Sequence, residues 1–102
     1  MKVEWSQPAR EDLIQIRAYI AADAPRYARQ FVERIIGSVR KLREFPLIGR
    51  TVPEAERADV RELIYQNYRI VYLVGSERVF VLGVIHGSRD MTRSANQPWE
   101  IG

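Results

Sequence analysis

The spacing of apolar residues changes once along this chain, and that change limits the folds open to it. Up to Leu42 apolar side chains recur at three- and four-residue steps, and after Val60 they alternate or run together. Ala9, Leu13, Ile16 and Ile20 predict an amphipathic helix over "PAREDLIQIRAYIAA", capped by Ser6 with Pro8, Glu11 and Asp12 near its start. Asp23 or Ala24 caps a second helix opened by Pro25, with Ala28, Phe31, Val32, Ile35, Val39 and Leu42 as its stripe. Phe45-Pro46 ends it, because a residue before proline avoids the helical region. Two helices joined this closely must pack as an antiparallel hairpin. After the aperiodic loop "LIGRTVPEAERAD", the stretches "VRELIY", "YRIVYLV" and "RVFVLGVIH" read as strands separated by short turns. With "KVEW" as a first strand, the expected class is α+β. Its order is β-α-α-β-β-β, a helical hairpin packed on one face of a mostly antiparallel sheet.

At 102 residues the expectation is a single domain, with a core over about residues 2–92 and a C-terminal tail over 93–102. Cysteine is absent, so neither disulfides nor a thiolate metal site can contribute. The N-terminus meets an acidic residue, Glu4, at its fourth position, unlike a secretory signal, and no apolar run nears the roughly 20 residues of a membrane helix. A cytoplasmic protein is expected. Net charge is +3, and of its 16 basic residues only Lys2 and Lys41 are lysine. Arginine grips carboxylate or phosphate with a planar fork, so an acidic partner or a nucleic acid fits this bias, as does an Arg-rich codon usage.

With Gln66-Asn67 as a two-residue turn, Arg61, Leu63, Tyr65, Tyr68, Ile70 and Tyr72 share one sheet face. Val60, Glu62, Ile64, Arg69, Val71 and Leu73 share the other. In the last strand Val79, Val81 and Ile85 oppose Phe80, Leu82 and Val84. A helical hairpin covers one side only. The other is expected to be an uncovered apolar face studded with arginine and tyrosine, the make-up of a binding surface, unless loop 46–59 folds over it. Trp5 and Trp99 read as packing residues of core and tail, and the tail either folds back on the sheet or serves a partner. No phosphate-cradling glycine loop, metal-ligand spacing or Ser-His-Asp arrangement is visible, so no cofactor and no metal are expected.

The order of elements, "RELIYQNYRIVYLV", "VFVLGVIHGSRD" and the "FPLIGRTVPE" loop together resemble the RelE/ParE superfamily, the toxins of bacterial type II toxin–antitoxin pairs. The resemblance spans roughly residues 2–92. It implies a cognate antitoxin whose extended C-terminal segment wraps the toxin. It also implies one of two modes of action. RelE-like members cleave messenger RNA on the ribosome by attack of a ribose 2′-hydroxyl, which needs a base, cations and an acid. ParE-like members inhibit DNA gyrase by contact.

Arg69 matches the phosphate-directed arginine of the nucleases, but its fork equally suits a salt bridge within the sheet or to the antitoxin. The two lysines of RelE-type nucleases are missing; Val60, Arg61 and Glu62 stand nearest. His86, the only histidine, is either a proton shuttle or a strand-end ring bonded to the turn at Gly87, beside an Arg89–Asp90 pair. A structural or interfacial role is expected for it. The resemblance therefore implies a ParE-like growth-inhibiting toxin acting on gyrase, with Arg61, Tyr65, Arg69, Tyr72, His86 and Arg89 as antitoxin- or target-binding residues. The alternative is a ribosome-dependent mRNA endoribonuclease using Arg69, His86 and Arg89 with Glu62 as base. A degenerate member that binds its antitoxin and poisons nothing is a third.

Overall fold

Ser6 begins the first helix as expected: its Oγ accepts the Ala9 N–H at 3.1 Å, satisfying one of the orphan donors of the first turn. The computed structural model describes residues 1–93 and 97–100. In chain order the elements are β1 (Lys2–Trp5), α1 (Gln7–Ala21), α2 (Pro25–Arg40), β2 (Arg50–Thr51), β3 (Val60–Tyr65), β4 (Tyr68–Val74) and β5 (Arg78–His86). A short 3-10 turn, Lys41–Arg43, extends α2. The five strands form one sheet in the order β1-β5-β4-β3-β2, with β1 parallel to β5 and every other pair antiparallel. β2 lies inside the stretch read as loop, where two residues pair with Arg61 and Glu62 at the sheet edge.

The Tyr65–Tyr68 pair closes the β3–β4 hairpin on a two-residue turn. Gln66 takes the left-handed conformation there (φ 52°), as the first position of such a turn requires. The helical hairpin lies on the face that carries Ile70 and Tyr72. Phe31, Ile35, Val39 and Leu42 from the α2 side meet Ile70, Tyr72, Val79, Val81 and Val84 of the sheet.

The opposite face is covered, contrary to the uncovered surface expected from a hairpin alone. Val60, Val71, Leu82 and Ile85 of the sheet are buried beneath Val52 of the loop, with Met91 after β5 and Trp99 of the tail. Met91 is fully buried and Gln97 Nε2 donates to its carbonyl at 3.0 Å. Both the loop and the tail therefore serve as the second cover. Tail residues 94–96, 101 and 102 lie outside the described residues.

β5 also departs from simple alternation. Val71 pairs with Gly83 and Tyr72 with Val81, so a bulge at Leu82 shifts the phase of the residues beyond it. Val84 consequently faces the helices and Ile85 the second cover, the reverse of the expected assignment. The start of α1 fixes this bulge. Ser6 Oγ donates to the Leu82 carbonyl at 3.2 Å, and Asp12 Oδ2 accepts the Val84 N–H at 3.0 Å. Among the described residues no helix is long and apolar enough to cross a membrane.

The buried Met91 yields a direct expectation. Met91→Ala should lower unfolding stability by about 2–5 kcal/mol, the range for truncating a buried methionine. Chemical denaturation measures this, and an unchanged midpoint would mean that Met91 is no part of the core.

Candidate functional site

At the turn end of the β3–β4 hairpin a cleft of about 370 Å³ is lined by Arg50, Ile64, Tyr68, Arg69, His86 and Ser88, among others. It is lined by Arg69 and His86, two of the four residues assigned to a nuclease, while Glu62 is buried and Arg89 lines another cleft. What they bond to determines what they can do.

Glu62 alternates inward from β3 and is 1% exposed, so its charge requires partners. Arg69 Nη2 donates to its Oε2 at 3.0 Å and Arg69 Nε to its Oε1, while Arg50 Nε approaches Oε2 at 2.7 Å. Both carboxylate oxygens are thus occupied. Arg69, 9% exposed, also clasps Glu54 of the second-cover loop, with Nη1 and Nη2 donating at 2.7 and 2.8 Å. Four of its five N–H donors end on carboxylate oxygens, and little of the fork remains for a phosphate. Hydrogen bonding by Arg69 holds the Glu54 carboxyl below its ordinary value, and Glu54 in turn raises the guanidinium.

His86 lies at the exposed end of β5, its ring edge-on to Tyr68 with centroids 5.3 Å apart. Its Nδ1 accepts the backbone N–H of Ser88 at 3.2 Å and lies 2.7 Å from Ser88 Oγ. A backbone N–H can only donate, so Nδ1 is the accepting nitrogen and the ring hydrogen sits on Nε2. The nitrogen able to take a proton is therefore already engaged.

The remaining sequence-selected residues are scattered. Arg89 is exposed at a separate shallow cleft beside Asp12 and Gln97, away from Arg69. Burial raises the Asp12 carboxyl while the Val84 N–H and the Arg89 charge oppose the shift. Arg61 is spent on backbone, donating to the carbonyls of Gly49 at 2.9 Å, Ala58 at 3.2 Å and Leu47 at 3.3 Å. Tyr72 is fully buried, and its hydroxyl accepts the Gly49 N–H at 3.0 Å. That contact leaves no room at Gly49 for a side chain, since a Cβ would fall 2.6 Å from the hydroxyl and 2.5 Å from the Glu62 carbonyl. Tyr65 packs against Phe31 of α2 with centroids 5.2 Å apart. Glu54, Arg50 and Ser88 were not singled out from sequence. The signal for the first two was Glu62 itself, an acid on an apolar face with one arginine nearby.

The family model described as "ParE toxin of type II toxin-antitoxin system, parDE" matches residues 3–91. The chain belongs to the ParE toxin family. Among solved structures, this ParE-family toxin resembles a chain of the chromosomal ParDE toxin–antitoxin system from P. aeruginosa. That match has 22% identity and a TM-score of 0.72, covering 84% of this chain and 95% of that one. A chain of the toxin–antitoxin complex RelBE2 from Mycobacterium tuberculosis matches with 24% identity and a TM-score of 0.55, covering 83% and 95%. No curated protein matches the chain. Both structural likenesses speak to the fold, which is a helical hairpin on a mixed sheet.

The charge network carries its own test. Arg69→Ala should destabilise this toxin by about 3–5 kcal/mol by leaving buried Glu62 with Arg50 as its one arginine partner, and adding Glu62→Gln should restore part of the loss. Glu54 contributes with a definite pH sense. Its folded value lies below the ordinary 4.5, so its stabilisation is complete above that value and fades as pH falls through the lower folded one. Melting temperatures of wild type and Glu54→Gln should therefore differ near neutrality and converge in acid below pH 4.5.

Proposed function

We propose that this ParE-family toxin arrests growth by protein contact with DNA gyrase, without cutting RNA, and that a cognate antitoxin neutralises it. The observation that carries this reading is the commitment of Arg69 to Glu54 and Glu62. Cleavage through the 2′-hydroxyl needs a free base and cations aimed at the phosphate. Glu62 is buried with both oxygens filled, and at the cleft His86 Nδ1 is engaged by Ser88 and Arg50 is paired to Glu62. Contact inhibition requires none of these groups. Gyrase as the target is inferred from membership of the ParE family.

The antitoxin reading is supported by a different surface. α1, α2 and β1 border a groove of about 690 Å³ whose floor is Trp5, Leu13, Ile14, Val32 and Ile36, with Arg10 and Arg17 beside it. β1 is the terminal strand of the sheet, and its outer edge offers unpaired backbone groups to an added strand. An extended segment with apolar anchors and acidic flanks suits that geometry. Ile14 is largely exposed, so Ile14→Asp should leave melting temperature unchanged and weaken antitoxin co-purification by about tenfold or more. Undiminished co-purification would move the antitoxin elsewhere.

Mode of action is tested by precursor incorporation after a short pulse of expression without antitoxin. Thymidine incorporation should stop before methionine incorporation, and His86→Ala should behave as wild type. If methionine incorporation collapses first, and His86→Ala abolishes that effect in a folded protein, the toxin is instead a RelE-like endoribonuclease.

A further inference from the structure

Between α2 and β2 three large apolar side chains stand in solvent within a single turn. Phe45 is 58% exposed, and Leu47 and Ile48 are each 59% exposed. One exposed apolar residue means little, but three together form a patch. The backbone beneath them is held firmly from several sides. Phe45 N donates to the Lys41 carbonyl at 3.0 Å, and Ile48 N to the Phe45 carbonyl at 3.2 Å. Gly49 N donates to the buried Tyr72 hydroxyl, while Arg61 Nη1 bonds the Leu47 and Gly49 carbonyls. Buried Tyr72 and half-buried Arg61 thus fix the turn from behind and leave its side chains pointing outward. A turn already held in one shape loses little entropy on docking.

The surroundings define the partner. Arg40, Lys41 and Arg43 precede the turn and form no ion pair among the described residues, and Glu44 is the single acid between Arg40 and Arg50. Phe45 also borders a shallow hollow beside Gly37, Arg40 and Lys41. We infer that the 45–48 turn is the contact surface for the toxin's target, inserting Phe45, Leu47 and Ile48 into an apolar pocket of a folded protein rimmed by carboxylates. This rests on the contact-inhibitor reading and names its surface. A concave groove suits an extended antitoxin segment; a fixed convex turn suits a pocket. A lipid surface would also accept apolar and cationic groups, but it places no demand on a turn fixed in one geometry.

The test is the double variant Leu47→Glu/Ile48→Glu, expressed in a host that the wild type arrests. Both positions are exposed, so melting temperature and antitoxin co-purification should be unchanged, while growth arrest should be lost. Binding to purified DNA gyrase should weaken by about 100-fold. Lys41→Glu/Arg43→Glu should weaken the same binding and make it less sensitive to salt. A folded double variant that still arrests growth overturns the inference. So does loss of antitoxin binding with arrest intact, which would give the turn to the antitoxin. Flotation of wild type but not variant with phosphatidylglycerol vesicles would assign the turn to a membrane and equally overturn it. If the double variant fails to fold, Leu47→Ser alone gives the same readouts. Wild type that leaves purified gyrase unbound while the variant abolishes arrest would refute gyrase and uphold the turn.

Discussion

A carboxylate with almost no access to water dictates the middle of this molecule. Glu62 sits on a sheet face that is otherwise Val60, Val71, Leu82 and Ile85, and an unpaired charge there would be too costly to keep. Two arginines answer it, one from the adjacent strand and one from the edge strand, and Arg69 then reaches on to Glu54. Through that chain of alternating charge, β4, β3, β2 and the loop over the second face are tied to one point. The same arrangement that permits the fold takes the arginine best placed for a phosphate and commits it to structure. Function by contact is more compatible with this commitment than function by catalysis.

A second fixed point works at the other end of the sheet. The bulge at Leu82 leaves a carbonyl and an N–H outside the regular ladder, and the first turns of α1 supply both partners through Ser6 and Asp12. Helix start and β5 are thereby keyed together, with Gly83 in close approach to the Asp12 carboxylate. The bulge also turns Val84 toward the helices and Ile85 toward the tail, so each core receives one residue from a stretch that is apolar throughout.

Much of this was legible in the residues. Helical spacing, the Ser6 cap, the Pro25 start and the Gln66-Asn67 turn rest on local chemistry, and the elements fall where that chemistry places them. The second cover was legible only as an alternative, because Val52, Met91 and Trp99 have no periodicity to mark them and reach the sheet only through tertiary packing. The phase change at Leu82 was hidden for a related reason: a strand apolar on both sides carries no alternation to reveal a bulge. At the candidate site the sequence placed Glu62 and Arg69 on one face but could not say that they bond each other. Arg61 and Tyr72, chosen as surface recognition residues, are the pair that holds the 47–49 backbone from inside.

That last relationship links core and surface. Tyr72 is a large polar aromatic buried on the helix side, and its hydroxyl must find a partner. It finds the N–H of Gly49, a residue without room for a side chain because the hydroxyl and the Glu62 carbonyl already crowd it. Arg61, on the strand that carries Glu62, holds the carbonyls on either side of Ile48. The turn that exposes Phe45, Leu47 and Ile48 is therefore braced by the same pair of strands that buries the charge network. An apolar patch on a loosely held loop would tend to collapse onto the body. Held this way it stays outward, and recognition by the turn depends on a core that contributes no surface to it.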